Sequence, residues 1–145
     1  MFNYLLNYFN WKKVEETVSL HQFANYYSVS ELTSKKIGNL GHFFISDVGG
    51  HKDFWVEFLN NPERPETQSN WCVLEKDGDE IRIFDFLTEE RAQPYPVSED
   101  QVLRIKNSEL QKLLYQWDEI LSRDPLPSQI KITEKRGVFK MEAID

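Results

Sequence analysis

Residues 71–86 read Trp-Cys-Val-Leu-Glu-Lys-Asp-Gly-Asp-Glu-Ile-Arg-Ile-Phe-Asp-Phe, and this stretch decides the fold class. Two apolar-rich runs, Trp71 to Glu75 and Glu80 to Phe86, flank Lys76-Asp77-Gly78-Asp79. Asp77-Gly78 is the expected centre of a tight turn, because an Asp-Gly pair supplies the positive φ values that a twisted two-residue connection needs. Alternation puts Trp71, Val73 and Glu75 on one face of the first strand, and Ile81, Ile83 and Asp85 on one face of the second. The expected unit is an antiparallel hairpin.

On the C-terminal side, Pro94 and Pro96 mark a bend, and Ser98-Glu-Asp-Gln101 has capping-box spacing that suits a short helix. From Ser108 to Ser122, Leu110, Leu113, Leu114, Trp117, Ile120 and Leu121 recur at helical spacing, with Ser108 as the expected N-cap. Arg123-Asp-Pro-Leu-Pro127 stops that helix. Ile130 to Thr133 and Val138 to Ile144 suggest a final hairpin around Lys135-Arg136-Gly137. On the N-terminal side, residues 61–70 read as a loop, and Asp53 to Asn60 as a helix carrying Phe54, Trp55, Phe58 and Leu59 on one face. Ile37 to Ser46 reads as an extended strand, its glycines allowing a neighbouring backbone to approach closely. Ser19 to Tyr27 has helical spacing, with a strand running on through Val29 and Leu32 as the competitor. Met1 to Trp11 reads as a helix with a narrow Asn3, Asn7, Asn10 stripe and an otherwise apolar, core-facing surface. It lacks the basic leader and small-residue cleavage site of a signal peptide, and is too short to span a bilayer. The irregular alternation of strands and helices, with short turns between neighbouring strands, predicts an α+β fold: an antiparallel sheet, with 71–87 as its central hairpin, packed by helices.

The chain has 145 residues, 40% hydrophobic and 28% charged, and no repeat or long linker, so one domain over 1–145 is expected. Its single cysteine, Cys72, excludes an internal disulfide framework and fits a reducing cytosol. A net charge of −7 argues against a surface that neutralises nucleic-acid phosphates, and suits a basic partner instead.

Catalytic templates are scarce. There is no phosphate-cradling Gly-Lys-Ser/Thr loop, no Gly-x-Ser-x-Gly elbow and no Gly-x-Gly-x-x-Gly turn. Cys72 lies inside a strand without a neighbouring base and reads as a small buried residue. Trp55, Trp71 and Trp117 read as core. One segment, Gly41 to Asp53, gathers His42, Asp47, His51 and Asp53, residue types that serve metal binding or acid–base work. Its spacing matches no helical zinc signature, and the plainer alternative has His42 in a strand and Asp53 capping the next helix.

Charge location says more. Residues 75–100 hold nine acids, among them Glu75, Asp77, Asp79, Glu80, Asp85, Glu89 and Glu90, against only Lys76, Arg82 and Arg91, and so carry nearly the whole imbalance. Either these acids solvate a sheet edge, or they form an electrostatic face for a basic protein, with rim charges speeding association and central aromatics supplying energy.

In overall character the chain resembles the small immunity proteins of bacterial polymorphic-toxin systems, contact-dependent growth inhibition among them. The matching features are the aromatic start Met1 to Trp11, the run His51 to Leu59, the hairpin Trp71 to Leu87 and the helix around Leu114 to Ile120. The resemblance implies a non-enzymatic cytoplasmic protein without a cofactor, which binds a cognate toxin domain, commonly a basic nuclease, at its active site or an exosite. Nucleic acid and membrane are not expected partners. The alternatives are a small metal-dependent hydrolase built on His42, Asp47, His51 and Asp53, and an adaptor subunit docking through Phe2, Phe9 and Trp11.

Overall fold

The computed structural model describes residues 14–21, 26–32, 35–85 and 99–144, with side chains described from residue 38 onward. Among the described residues, eight strands form two four-stranded antiparallel sheets. In the first, β1 (Val14–His21), β2 (Tyr26–Leu32), β7 (Gln129–Lys135) and β8 (Val138–Ile144) lie in the order β2-β1-β7-β8. In the second, β3 (Glu66–Gln68), β4 (Cys72–Asp77), β5 (Glu80–Asp85) and β6 (Leu103–Lys106) lie in sequence order. The helices are α1 (Lys35–His42), α2 (Lys52–Asn60) and α3 (Asn107–Leu121). The architecture is α+β, with both sheets and all three helices sharing one apolar cluster.

The decisive hairpin forms as its alternation requires. Cys72, Leu74, Ile81 and Ile83 are buried in the shared core, while Val73 and Phe84 join Val102 in a smaller cluster. Asp77 pairs with Glu80 across the turn residues Gly78 and Asp79, one position later than the Asp77-Gly78 centre expected from sequence. Gly78 takes a φ of +62° and Asp79 has no positive φ, the pattern of a turn that needs glycine at its first central position. The last hairpin differs: Arg136 and Gly137 both have positive φ (+53° and +79°), between paired Lys135 and Val138.

Helix α3 buries Leu110, Leu113, Leu114, Trp117 and Ile120, as its stripe predicts. Its start differs from expectation. Lys106 occupies the cap position with no side-chain cap, and Ser108 lies within the first turn. The Asn107 N–H donates to the Asp79 carbonyl (2.8 Å), so the hairpin turn anchors the helix start. Helix α2 ends beneath Lys76, whose ammonium donates to the carbonyls of Phe58 and Asn61, a cation placed where a helix terminus favours it.

Three sequence expectations are corrected. Ser19 to Tyr27 is not helical where described: β1 runs through His21 and β2 starts at Tyr26. The 61–70 loop contains the short strand β3. Ile37 to Ser46 is helical rather than extended, α1 continuing into a wider turn over Phe43–Val48. Leu40, Phe43, Phe44, Asp47 and Val48 are all buried and recur at helical spacing. Their burial outweighs the roughly 1 kcal/mol that each glycine, Gly38 and Gly41, costs a helix. The wider turn closes with an i→i−5 bond from the Gly49 N–H to the Phe44 carbonyl (3.0 Å). The proposed helix over Met1 to Trp11 lies outside the described residues, as do Ser98, Glu89 and Glu90; Glu99–Gln101 forms a single 3₁₀ turn. Among the described residues no helix is long and apolar enough to cross a membrane.

Candidate partner-binding surface

Glu75, Asp77 and Glu80 share the outer face of the second sheet, whereas Asp85, expected to join them, lies on the core side with Ile81 and Ile83, opposite Cys72. Register puts Glu75 opposite Arg82, and Arg82 opposite Arg104. Two guanidinia facing each other would repel. Glu99, on the 3₁₀ turn, separates them, reaching Arg82 Nη2 at 3.1 Å and Arg104 Nε at 3.2 Å. Arg82 also pairs with Glu75, and Arg104 reaches Asp77 at 2.9 Å and Glu80 at 3.6 Å. The hydrogen bond from Arg104 leads the effects that hold Glu99 below the usual carboxylate range, the charge of Arg82 adding to it against burial. Four carboxylates thus meet three cations, Arg82, Arg104 and, opposite Glu80 in the register, Lys106, which leaves one carboxylate in excess on this face. Asp79 is exposed at the turn, and Asp85 half-buried at the far end of β5. Sequence reading located the acids but missed that Arg104, a distant residue brought alongside by β6, is their main counter-charge.

The His42, Asp47, His51, Asp53 segment does not converge on a metal. Asp47 accepts the backbone N–H of Trp71 on Oδ1 (3.0 Å) and that of Cys72 on Oδ2 (2.9 Å). Its own carbonyl accepts the Trp55 indole N–H (3.2 Å). The Asp47 carboxyl therefore ties the wide turn to the start of β4, and burial pushes its pKa up to about 6 against the lowering effect of the two backbone bonds. His42 sits at the end of α1, not in a strand, with its ring stacked on Trp71 at 5.6 Å. His51 is exposed before α2. Asp53 lies in the first turn of α2 rather than capping it, its side chain 97% exposed and 3.4 Å from Lys52. Among the described residues no three His, Cys, Asp or Glu side chains gather as a metal-holding group. Cys72 is fully buried, its thiol pKa pushed up chiefly by burial and further by Asp47 and Asp85.

Trp55 and Trp117 are core, as expected, whereas Trp71 is exposed. Among the described residues the other exposed aromatics, Phe54 and Tyr115, lie on the outer sides of α2 and α3. Helical spacing assigned Phe54 to the buried face; Trp55, Phe58 and Leu59 fill that face instead. Comparison with known proteins gives no match: no family model, no curated protein and no solved structure is similar to this chain.

Proposed function

We propose that the chain is an immunity protein: a cytoplasmic, non-catalytic inhibitor that binds one cognate toxin domain, most simply a basic nuclease, and neutralises it stoichiometrically. The observation that carries this reading is the surplus of carboxylates around the hairpin, where Glu75, Asp77, Glu80 and Glu99 face Arg82, Arg104 and Lys106, and Asp79 stands exposed at the turn. A standing negative field of this kind draws in a cationic partner and raises the association rate before contact. The hydrolase alternative draws less from the geometry, because among the described residues His42, Asp47, His51 and Asp53 do not gather into a metal-holding group.

The reading requires a toxin domain encoded by a neighbouring gene, and association kinetics with that domain test it. Replacing Asp77→Asn, Asp79→Asn and Glu80→Gln together is expected to slow association about 10-fold at low salt and to flatten its salt dependence. Unchanged kinetics would remove the hairpin acids from the mechanism. Absence of any complex would remove the immunity reading itself.

A further inference from the structure

The turn between β7 and β8 dictates which way each peptide of β8 faces. Lys135 and Val138 close that two-residue turn, so the β8 residues that exchange both backbone bonds with β7 are Val138, Lys140, Glu142 and Ile144. Phe139, Met141 and Ala143 therefore aim their N–H and C=O groups away from β7. The Phe139 N–H shows this phase directly, since it donates to Glu109 Oε2 of α3 (3.0 Å). Among the described residues no such partner meets the outward groups of Met141 or Ala143. Strand β8 ends the sheet order β2-β1-β7-β8, and Val138, Lys140 and Glu142 stand exposed along its outer face.

Outward groups can bond only to outward groups, which limits the registers in which a second β8 could pair antiparallel with the first. The longest is centred on Met141 and pairs the whole of Val138–Ile144. It sets Lys140 opposite Glu142 of the second copy, Glu142 opposite its Lys140, Phe139 opposite its Ala143 and Val138 opposite its Ile144. Registers centred one residue to either side set Lys140 against Lys140, or Glu142 against Glu142, and like charges directly opposite destabilise a strand pair. Lys140 and Glu142 already touch within one chain (3.0 Å); across the two-fold their pairs close into a ring of alternating sign. A lysine on an edge strand ordinarily deters pairing, but here, with Glu142 two residues on, it excludes the shifted registers and admits the centred one. We propose that β8 is a self-association edge, through which two copies of the chain pair antiparallel about Met141 and join their first sheets into one. Glu109 restrains this pairing, because the Phe139 N–H reaches the second copy's Ala143 carbonyl only when Glu109 releases it. Edge pairing adds main-chain bonds but buries less surface than a permanent dimer needs, so the dimer dissociates on dilution. It stands apart from the immunity reading and requires no toxin.

Sedimentation equilibrium of the intact chain, taken up to millimolar concentration, tests this. A monomer–dimer equilibrium is expected. Lys140→Glu alone, or Glu142→Lys alone, sets like charges opposite each other at both symmetric positions and is expected to weaken the dimer at least about 10-fold. Both changes in one chain are expected to restore it. Mixing the two single variants should restore it too, because their charges complement each other only across the edge. Ala143→Pro removes an outward N–H without touching the ladder to β7, and is expected to weaken the dimer while circular dichroism shows the fold retained. A chain that stays monomeric throughout, or a dimer indifferent to both single reversals, overturns the proposal. So does a dimer that the single reversals weaken and neither the double variant nor the mixture restores.

Discussion

Asp47 is a residue whose chemistry departs from the ordinary. The residue is 7% exposed, and its carboxyl holds the backbone N–H groups of Trp71 and Cys72 at the start of β4. Burial raises its pKa from 3.8 to about 6. A carboxyl whose folded pKa exceeds its unfolded value binds protons more tightly in the folded state. Its contribution is therefore full below about pH 4 and is lost as pH rises through 6. Two pKa units correspond to about 3 kcal/mol. Denaturant unfolding measured between pH 4 and pH 7 should show this loss, and Asp47→Asn should remove most of the slope. A variant with the wild-type slope would place the titration elsewhere. None of this was legible in the sequence, where Asp47 stood out only as a neighbour of two histidines. Its role depends on Trp71 and Cys72, brought to it by the packing of β4. Cys72 was legible as a buried residue because strand alternation alone fixes its side.

At the scale of elements, what was readable depended on whether burial and local propensity agree. In α3 they do: leucines and a tryptophan recur at helical spacing with no glycine between them, and the sequence locates the helix to within a residue. The central hairpin is equally local, its turn fixed by Gly78. In α1 they conflict. Two glycines argue for an extended strand, and only the buried row Leu40, Phe43, Phe44 and Val48 reveals the helix. The turn after it has a sharp requirement. Gly49 takes φ +48° and ψ −122°, a conformation costly for any residue with a Cβ, and its carbonyl accepts the Trp117 indole N–H (2.9 Å). No atom lies within 4 Å of a Cβ built at Gly49 or at Gly50, so a substitution at either site is free of steric clash. Gly49→Ala should therefore lower stability by about 1–3 kcal/mol through backbone strain alone. Gly50→Ala, at a position without positive φ, should stay within about 0.5 kcal/mol of wild type. Thermal or denaturant unfolding decides it: equal costs at both sites would contradict the strain account. Trimming the core of α3 should cost more, with Leu113→Ala losing about 2–5 kcal/mol.

Across the whole molecule, the sequence pointed to the fold class and to the concentration of acid, but not to how the acid is arranged. Two sheets rather than one arise because β1 pairs with β7, more than a hundred residues away, a choice no local pattern records. The same long reach brings Arg104 against Asp77 and sets the start of α3 on the hairpin turn. The exposed rings were equally hidden, since Phe54 sits beside Trp55 and only packing separates the outward ring from the inward one. The most direct test of the proposed immunity function is to titrate the purified chain into a fixed amount of the toxin domain that the proposal requires, while following that toxin's activity. Complete loss of that activity at one chain per toxin is the result the account predicts. Inhibition by far less than an equivalent, or activity that survives an excess of the chain, would contradict it.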